Sequence, residues 1–289
     1  MTEFIPPDDD NPFPDEDGDN GHHEAAKPQP SRRLRLPDDV ANNAFLLDRL
    51  RELNAYPQTD SGNGEAFVHL YGAKFRHDKR RGKDGAWLMW DGNRWTLDER
   101  WSFWQHGLLL ARPRHMAADL IESEDVRRRA LVWGRKSESR AGVATTLWAA
   151  RAMPPISSLT TDFDKDPWLL SVGNGVLDLR TGMLRSARPD DMMTRGSCVM
   201  FDPLATAPRW LLFLDEIFAS NKDLIGFVQR VAGYCLTGDT TEQCLFICWG
   251  QGANGKSVLL NILRAMAGSL GADTAFTTFE VTRSDNSND

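Results

Sequence analysis

The clearest chemistry in this chain lies in eight consecutive residues, Gly250-Gln251-Gly252-Ala253-Asn254-Gly255-Lys256-Ser257. Their spacing is GxxxxGK[ST], the phosphate-binding loop. Each position has a physical task. The glycines let the backbone take conformations that a side chain forbids. The turn aims successive N–H groups inward as an anion nest. A helix starting near Lys256 adds its positive dipole end. The Lys256 ammonium is placed to reach the β and γ phosphates, and the Ser257 hydroxyl to serve as a magnesium ligand. A nucleoside triphosphate and Mg2+ are therefore the expected ligands, with Lys256 the expected catalytic residue.

Such a loop needs a strand to feed it and a helix to follow it. Cys244-Leu245-Phe246-Ile247-Cys248 is a short apolar run suited to a strand buried on both faces. Val258, Leu259, Leu260, Ile262, Leu263 and Met266 read as one helix. Ahead of the strand, two helices are expected. Pro208 opens the first, with Trp210, Leu211, Phe213, Leu214, Ile217 and Phe218. Leu224, Ile225, Phe227, Val228, Val231 and Ala232 mark the second.

Further upstream the pattern is mixed. A helix capped by Asp38 or Asp39 carries Val40, Phe45, Leu46, Leu50 and Leu53. Asp60-Ser61-Gly62-Asn63-Gly64 reads as a turn cluster before a short helix with Phe67, Leu70 and Tyr71. Trp87 to Trp95 surround Asp91-Gly92, a strong hairpin signal. Residues 99–153 read as two or three helices, stopped by Pro154-Pro155. Strands are expected at Trp168 to Val172, at Val176 to Leu179 paired with Met183 to Arg185, and at Cys198 to Phe201.

Composition bounds the reading. The chain has 289 residues, 41% hydrophobic and 26% charged, with no apolar run near the ~20 residues a membrane helix needs. The acidic, proline-rich start does not read as a secretory leader, and none is expected. Four cysteines are too few for a disulfide framework, which favours a cytoplasmic setting. The net charge of −7 hides an uneven distribution. Residues 1–40 hold 11 acids and 4 bases, whereas residues 74–151 hold 17 bases and 10 acids. Residues 1–37 are expected to be disordered, because like charges and prolines leave little apolar surface to bury. His22-His23 within them is a weak metal signal.

Alternatives to nucleotide chemistry are thinner. The basic block, with Trp87, Trp90, Trp95, Trp101 and Trp104, could form a stacking platform for single strands. Most of these indoles are expected in the core instead. Arg127-Arg128-Arg129 reads as a solvated helix face or a DNA or subunit contact. Cys235, Cys244 and Cys248 lack the paired spacing of a zinc site and are expected to be buried. His69, His77, His106 and His115 form no ligand pattern. Asp162, Asp164 and Asp166 alternate like the start of a calcium loop, but Pro167 follows and no such loop is completed. Asp215-Glu216 sits on a helix and is no substitute for a magnesium carboxylate.

Several motifs resemble one family. Asn254 before Gly255-Lys256-Ser257 is similar to the loop of superfamily 3 helicases. Gly175-Val176-Leu177-Asp178-Leu179-Arg180-Thr181-Gly182 resembles the phage and plasmid primase–helicases related to the poxvirus enzyme. So do Gly233 to Asp239, Trp87 to Trp95, and Asn63, Ala66, Phe67 and Gly72. The resemblance spans about residues 58–289. It implies ATP as the nucleotide, and a hexameric, AAA-like ATPase that moves on single-stranded or forked DNA during phage or plasmid replication. The fold class it implies is α/β: a mixed α+β helicase-associated domain at 38–198, then the start of a P-loop NTPase domain at 199–289.

Residues 1–57 are too short for the primase domain some members carry. No acid-ended strand is legible after Ser257: Phe276 to Val281 is a weak β run, and Glu280 a poor magnesium carboxylate. The chain is therefore expected to be a fragment lacking Walker B, sensor and arginine finger, and by itself to bind nucleotide poorly and hydrolyse almost none. A DNA- or partner-binding module with a vestigial loop is the competing reading, and a metabolic kinase a third.

Overall fold

The computed structural model describes residues 43–279. The acidic tail, His22-His23, the Asp38/Asp39 cap with Val40, and Glu280 onward lie outside the described residues. All described residues fall within one contact unit, Leu36–Asp289.

The first described helix, α1 (Ala44–Leu53), is capped by Asn43, whose Oδ1 accepts the Leu46 N–H at 3.2 Å. The next helix, α2 (Asp60–Tyr71), corrects the sequence expectation. Asp60 to Gly64 is its first turn rather than a separate loop. Thr59 Oγ1 accepts the Gly62 N–H at 3.1 Å, which supplies the cap. The glycines serve packing. A Cβ on Gly62 would lie 2.1 Å from the Pro57 carbonyl oxygen, and one on Gly64 would lie 2.7 Å from Ala149 Cβ.

Three helices follow, as expected: α3 (Ser102–Ala118), α4 (Glu124–Ser137) and α5 (Arg140–Ala150). They pack with α1 and α2 on one face of a four-stranded sheet. Its strands are β1 (Phe75–Asp78), β2 (Ala86–Trp90), β3 (Trp95–Leu97) and β4 (Ser157–Ser158), in the order β3-β2-β1-β4. The β2–β3 hairpin turns at Asp91-Gly92, as the sequence indicated. Gly92 has φ +101°, and Asp91 Oδ1 accepts the Asn93 and Arg94 N–H groups at 2.8 Å each. The core between helices and sheet contains Leu53, Phe67, Phe75, Leu110, Val143, Leu147 and Ile156.

The opposite face of this sheet is smaller. Leu88, Trp95 and Phe163 are buried there, and the Trp95 Nε1–H donates to the Pro189 carbonyl at 2.9 Å. Arg76 is buried beneath them, its guanidinium 4.3 Å from the Trp95 ring centre. Of the five tryptophans weighed above, Trp95 is buried, Trp87, Trp90 and Trp104 are half-buried, and Trp101 is exposed.

A second sheet is a three-stranded meander, β5 (Leu169–Val172), β6 (Gly175–Asp178) and β7 (Met183–Arg185). Cys198 to Phe201 is not a strand of it. The segment lies beside β5 through single contacts, with Gly173 N–H donating to Val199 O at 2.8 Å. Asp162, Asp164 and Asp166 bind protein groups. Asp164 accepts from the Thr194 N–H and hydroxyl, Asp162 from the Leu159 N–H, and Asp166 from Trp168 N–H and Arg180.

Helices α6 (Pro208–Ile217), α7 (Lys222–Cys235) and α8 (Lys256–Ala267) complete the described chain. Between Phe201 and Leu270 only Leu214 and Leu259 are buried. Phe276 to Phe279 is a short 3-10 helix and not the weak β run expected there. Among the described residues no helix is long and apolar enough to cross a membrane.

Candidate functional site

Residues 250–257 form a tight turn that enters α8 at Lys256. Gly250 has φ +153° and Gly255 φ +85°, conformations that disfavour a side chain. Gly255 is also the point where the loop abuts α6: a Cβ there would lie 2.6 Å from Ile217 Cγ2. Ala253 has φ +59°, so the turn is left-handed between the glycines too. Gly252 faces open space.

The Lys256 side chain folds back over the turn. Its Nζ donates to Gly250 O at 2.9 Å, Gln251 O at 2.9 Å and Asn254 Oδ1 at 2.8 Å. Three oxygens thus surround one ammonium at the mouth of a helix N-terminus. The first four N–H groups of a helix have no partner within it. Anionic oxygens placed at that mouth would meet those N–H groups and the ammonium together. The residues present therefore suit a phosphate chain, and the exposed Ser257 stands in the same first turn. Asn254 was singled out from sequence as a family mark. Its contact to Lys256 is a positioning role that only the folded turn displays.

The elements expected around the loop divide into present and absent. Helix α8 forms as read. The strand Cys244 to Cys248 does not: this segment has no regular secondary structure and pairs with no strand among the described residues. A strand exists through hydrogen bonds to a neighbour, and neither sheet reaches it. The expectation of buried cysteines fails with it, since Cys198, Cys235, Cys244 and Cys248 are all exposed. Leu245, Ile247 and Trp249 are exposed as well. The Phe246 ring lies 6.3 Å from that of Phe227 on α7.

The far end of α8 is anchored. Ser269 N–H donates to Gly196 O at 3.0 Å, and Gly196 N–H donates to Ser269 Oγ at 2.9 Å. Gly238 N–H donates to Pro167 O at 2.7 Å. The Ser269–Gly196 bonds seat the end of the loop helix beside β5, and the Gly238 bond ties the residues after α7 to the segment before β5. Asp215 lies on α6, as read. It is occupied by Lys222 and the Ser220 hydroxyl, which hold its carboxyl below the usual range. Among the described residues no cluster of three His, Cys, Asp or Glu could hold a metal ion.

A family profile described as D5 N terminal like matches residues 64–219, 156 of the 289 residues. The chain belongs to this family. The D5 N-terminal-like region thus runs from α2 through the two sheets to the end of α6, and stops before the loop. Two curated relatives carry helicase names. A protein of Acanthamoeba polyphaga mimivirus is 28% identical over 122 residues, covering 38% of this chain and 12% of its own length. A protein of Invertebrate iridescent virus 6 is 28% identical over 120 residues, covering 40% of this chain and 12% of its own. The chain spans about an eighth of the length of these relatives. The expected kinship with primase–helicases is therefore shown at the level of this family.

Proposed function

We propose that this chain is part of an ATP-dependent DNA helicase of the primase–helicase type, acting on single-stranded or forked DNA in phage or plasmid replication. The observation that carries the reading is the Lys256 ammonium held at the mouth of α8 by Gly250 O, Gln251 O and Asn254 Oδ1. The helicase names of the relatives and the family of the upstream region support it. Mg–ATP would supply the phosphoanhydride whose cleavage drives movement. The Gly250–Gly255 backbone offers N–H donors to the phosphates. Lys256 exchanges its loop oxygens for phosphate oxygens and neutralises their charge. Ser257 offers a hydroxyl oxygen to magnesium. A hexameric ring of such chains, working in the host cytoplasm, completes the reading.

The test is saturable binding of a fluorescent ATP analogue to the full 289-residue chain. A hydrogen bond from a charged group contributes about 1.5–3 kcal/mol, so Lys256→Ala should weaken binding at least ~10-fold. Unchanged affinity in the variant would remove Lys256 from the site. A second reading, a DNA- or partner-binding module with a vestigial loop, is favoured by two observations. Burial is concentrated before Phe201, and the segment expected as the loop's strand forms none among the described residues. Saturable DNA binding without any nucleotide binding by the wild type would select that reading.

A further inference from the structure

We propose that one end of the four-stranded sheet is a docking surface for single-stranded DNA, with Trp101 as its stacking platform. The proposal rests on the reading of the chain as part of a DNA-processing enzyme and names the surface that would hold the strand.

The register defines this end of the sheet. Asp78 at the close of β1 pairs with Ala86 at the start of β2, so residues 79–85 form the connecting loop there. β3 finishes at Leu97 opposite Leu88, and the Asp98 N–H donates to Trp87 O at 3.0 Å. Glu99, Arg100 and Trp101 therefore leave the sheet at the same end as the loop. That loop carries Lys79, Arg80, Arg81 and Lys83 against one acid, Asp84. Arg81 lies 3.7 Å from the buried Asp78 carboxylate. Lys79, Arg80, Lys83 and Arg100 are exposed, and none is in an ion pair among the described residues.

Beside these cations runs a file of aromatic rings. His77 lies under Gly85, with its ring centre 5.2 Å from that of Trp87. Trp87 stacks on Phe103 at 4.9 Å and 7°. Phe103 stacks on Trp101 at 5.8 Å and 27°. Trp101 ends the file and is 62% exposed, although a free indole is costly to leave in water. No local duty explains it. Trp101 precedes α3 without capping it, since the Phe103 N–H is taken by Asp98 Oδ2 at 2.7 Å. Its backbone is left-handed, φ +57°, which a bulky side chain rarely adopts. The chain holds an indole where glycine would be the unstrained choice.

An exposed indole face continuing a ring stack, beside four unpaired cations, matches a flexible polyanion with free π faces. Unpaired bases can stack on Trp101 while their phosphates meet the loop and Arg100. Duplex bases are already stacked on one another and cannot.

The experiment measures binding of a fluorescein-labelled oligothymidylate to the full chain by anisotropy, without nucleotide, across a salt series. Trp101→Ala should weaken binding at least ~5-fold, the low end of what one base stack contributes. Trp101→Phe should stay within about threefold of wild type, because it keeps a ring. The double change Lys79→Gln with Lys83→Gln alters only exposed side chains. It should reduce the slope of log affinity against log salt by about 1.4, or ~0.7 per lost phosphate contact. Three results would each overturn the proposal: unchanged affinity in Trp101→Ala, an unchanged salt slope in the double variant, or a duplex bound as tightly as the single strand. None depends on Lys256. Loss of nucleotide binding in Lys256→Ala alongside unaltered DNA binding in Trp101→Ala would retain the ATPase reading and discard this surface.

Discussion

Replacing Gly62 with Ala should destabilise the protein, although Ala is the better helix former. Gly62 lies in the first turn of α2, where a Cβ would sit 2.1 Å from Pro57 O and 2.8 Å from its carbonyl carbon. Both atoms are backbone, so no side chain can swing away. The Pro57 carbonyl must recede by roughly 1 Å to reach ordinary contact. That carbonyl accepts from Arg114 Nη2 at 2.9 Å. Arg114 is buried, and its other acceptors are Leu53 O at 2.6 Å and Tyr56 O at 3.2 Å. Burial also lowers its pKa. Overpacking costs about 1–3 kcal/mol. A weakened hydrogen bond to a buried cation costs about 1.5–3 kcal/mol more. Helix propensity returns about 1 kcal/mol at most. The net loss is about 1.5–5 kcal/mol, a fall in Tm of at least ~3 °C for a chain of this size. The matched control is Gly226→Ala in α7, where a Cβ meets only the far end of Arg230 at 3.5 Å. That change should raise stability by about 0.5–1 kcal/mol. Urea denaturation followed by circular dichroism measures both. Equal midpoints for the two variants, or a more stable Gly62→Ala, would refute the packing argument.

Further outcomes follow from buried polar groups. Asn63 donates to Ser137 Oγ at 2.7 Å and accepts from the Trp133 Nε1–H at 3.2 Å. Asn63→Ala leaves the Trp133 Nε1–H unsatisfied, while Ser137 Oγ keeps its bond to Trp133 O at 2.9 Å, and should cost about 1–3 kcal/mol in urea denaturation. His77 is buried with Nδ1 unpartnered. Burial first, and then the Arg151 charge, push its pKa below the ordinary value near 6.5. The unfolded chain therefore binds the proton more readily, and stability falls as pH drops below about 6.5. His77→Gln should flatten that limb of the stability–pH curve, and an unaltered limb would exclude His77 as its source. Asp191 shows the carboxylate case. Burial raises its pKa, but the two bonds from Arg185, at 2.7 and 2.8 Å, and the Arg188 N–H outweigh this and lower it. Its contribution is present above pH ~4 and fades as pH falls through the lower folded value. Asp191→Asn should lose stability at neutral pH and little at pH ~2 in the same assay.

Much of this protein was legible in local sequence. The β2–β3 hairpin follows from Asp91-Gly92, because few residues accept a positive φ there and Asp91 bonds its own turn. Helices α3 to α8 follow from apolar spacing, and the loop from its glycines and Lys256. These features depend on neighbours within a few residues. The errors at Asp60 to Gly64 and at Cys244 to Cys248 are long-range. Asp60 to Gly64 carries turn residues, yet it is helical because those glycines let α2 approach Pro57 and α5. Cys244 to Cys248 carries a strand's composition, yet without a paired neighbour its backbone groups and side chains stay exposed.

Residue types alone determined that this chain holds a phosphate-binding turn, a basic stretch and an abundance of tryptophan. The tertiary structure decided that Trp101 faces water, and placed it beside the basic loop at one end of a sheet. Composition could not separate Trp101 from Trp95. Burial is a property of what packs on a residue, and only the folded chain supplies Pro189, Met193 and Arg76 to cover one indole while leaving the other bare.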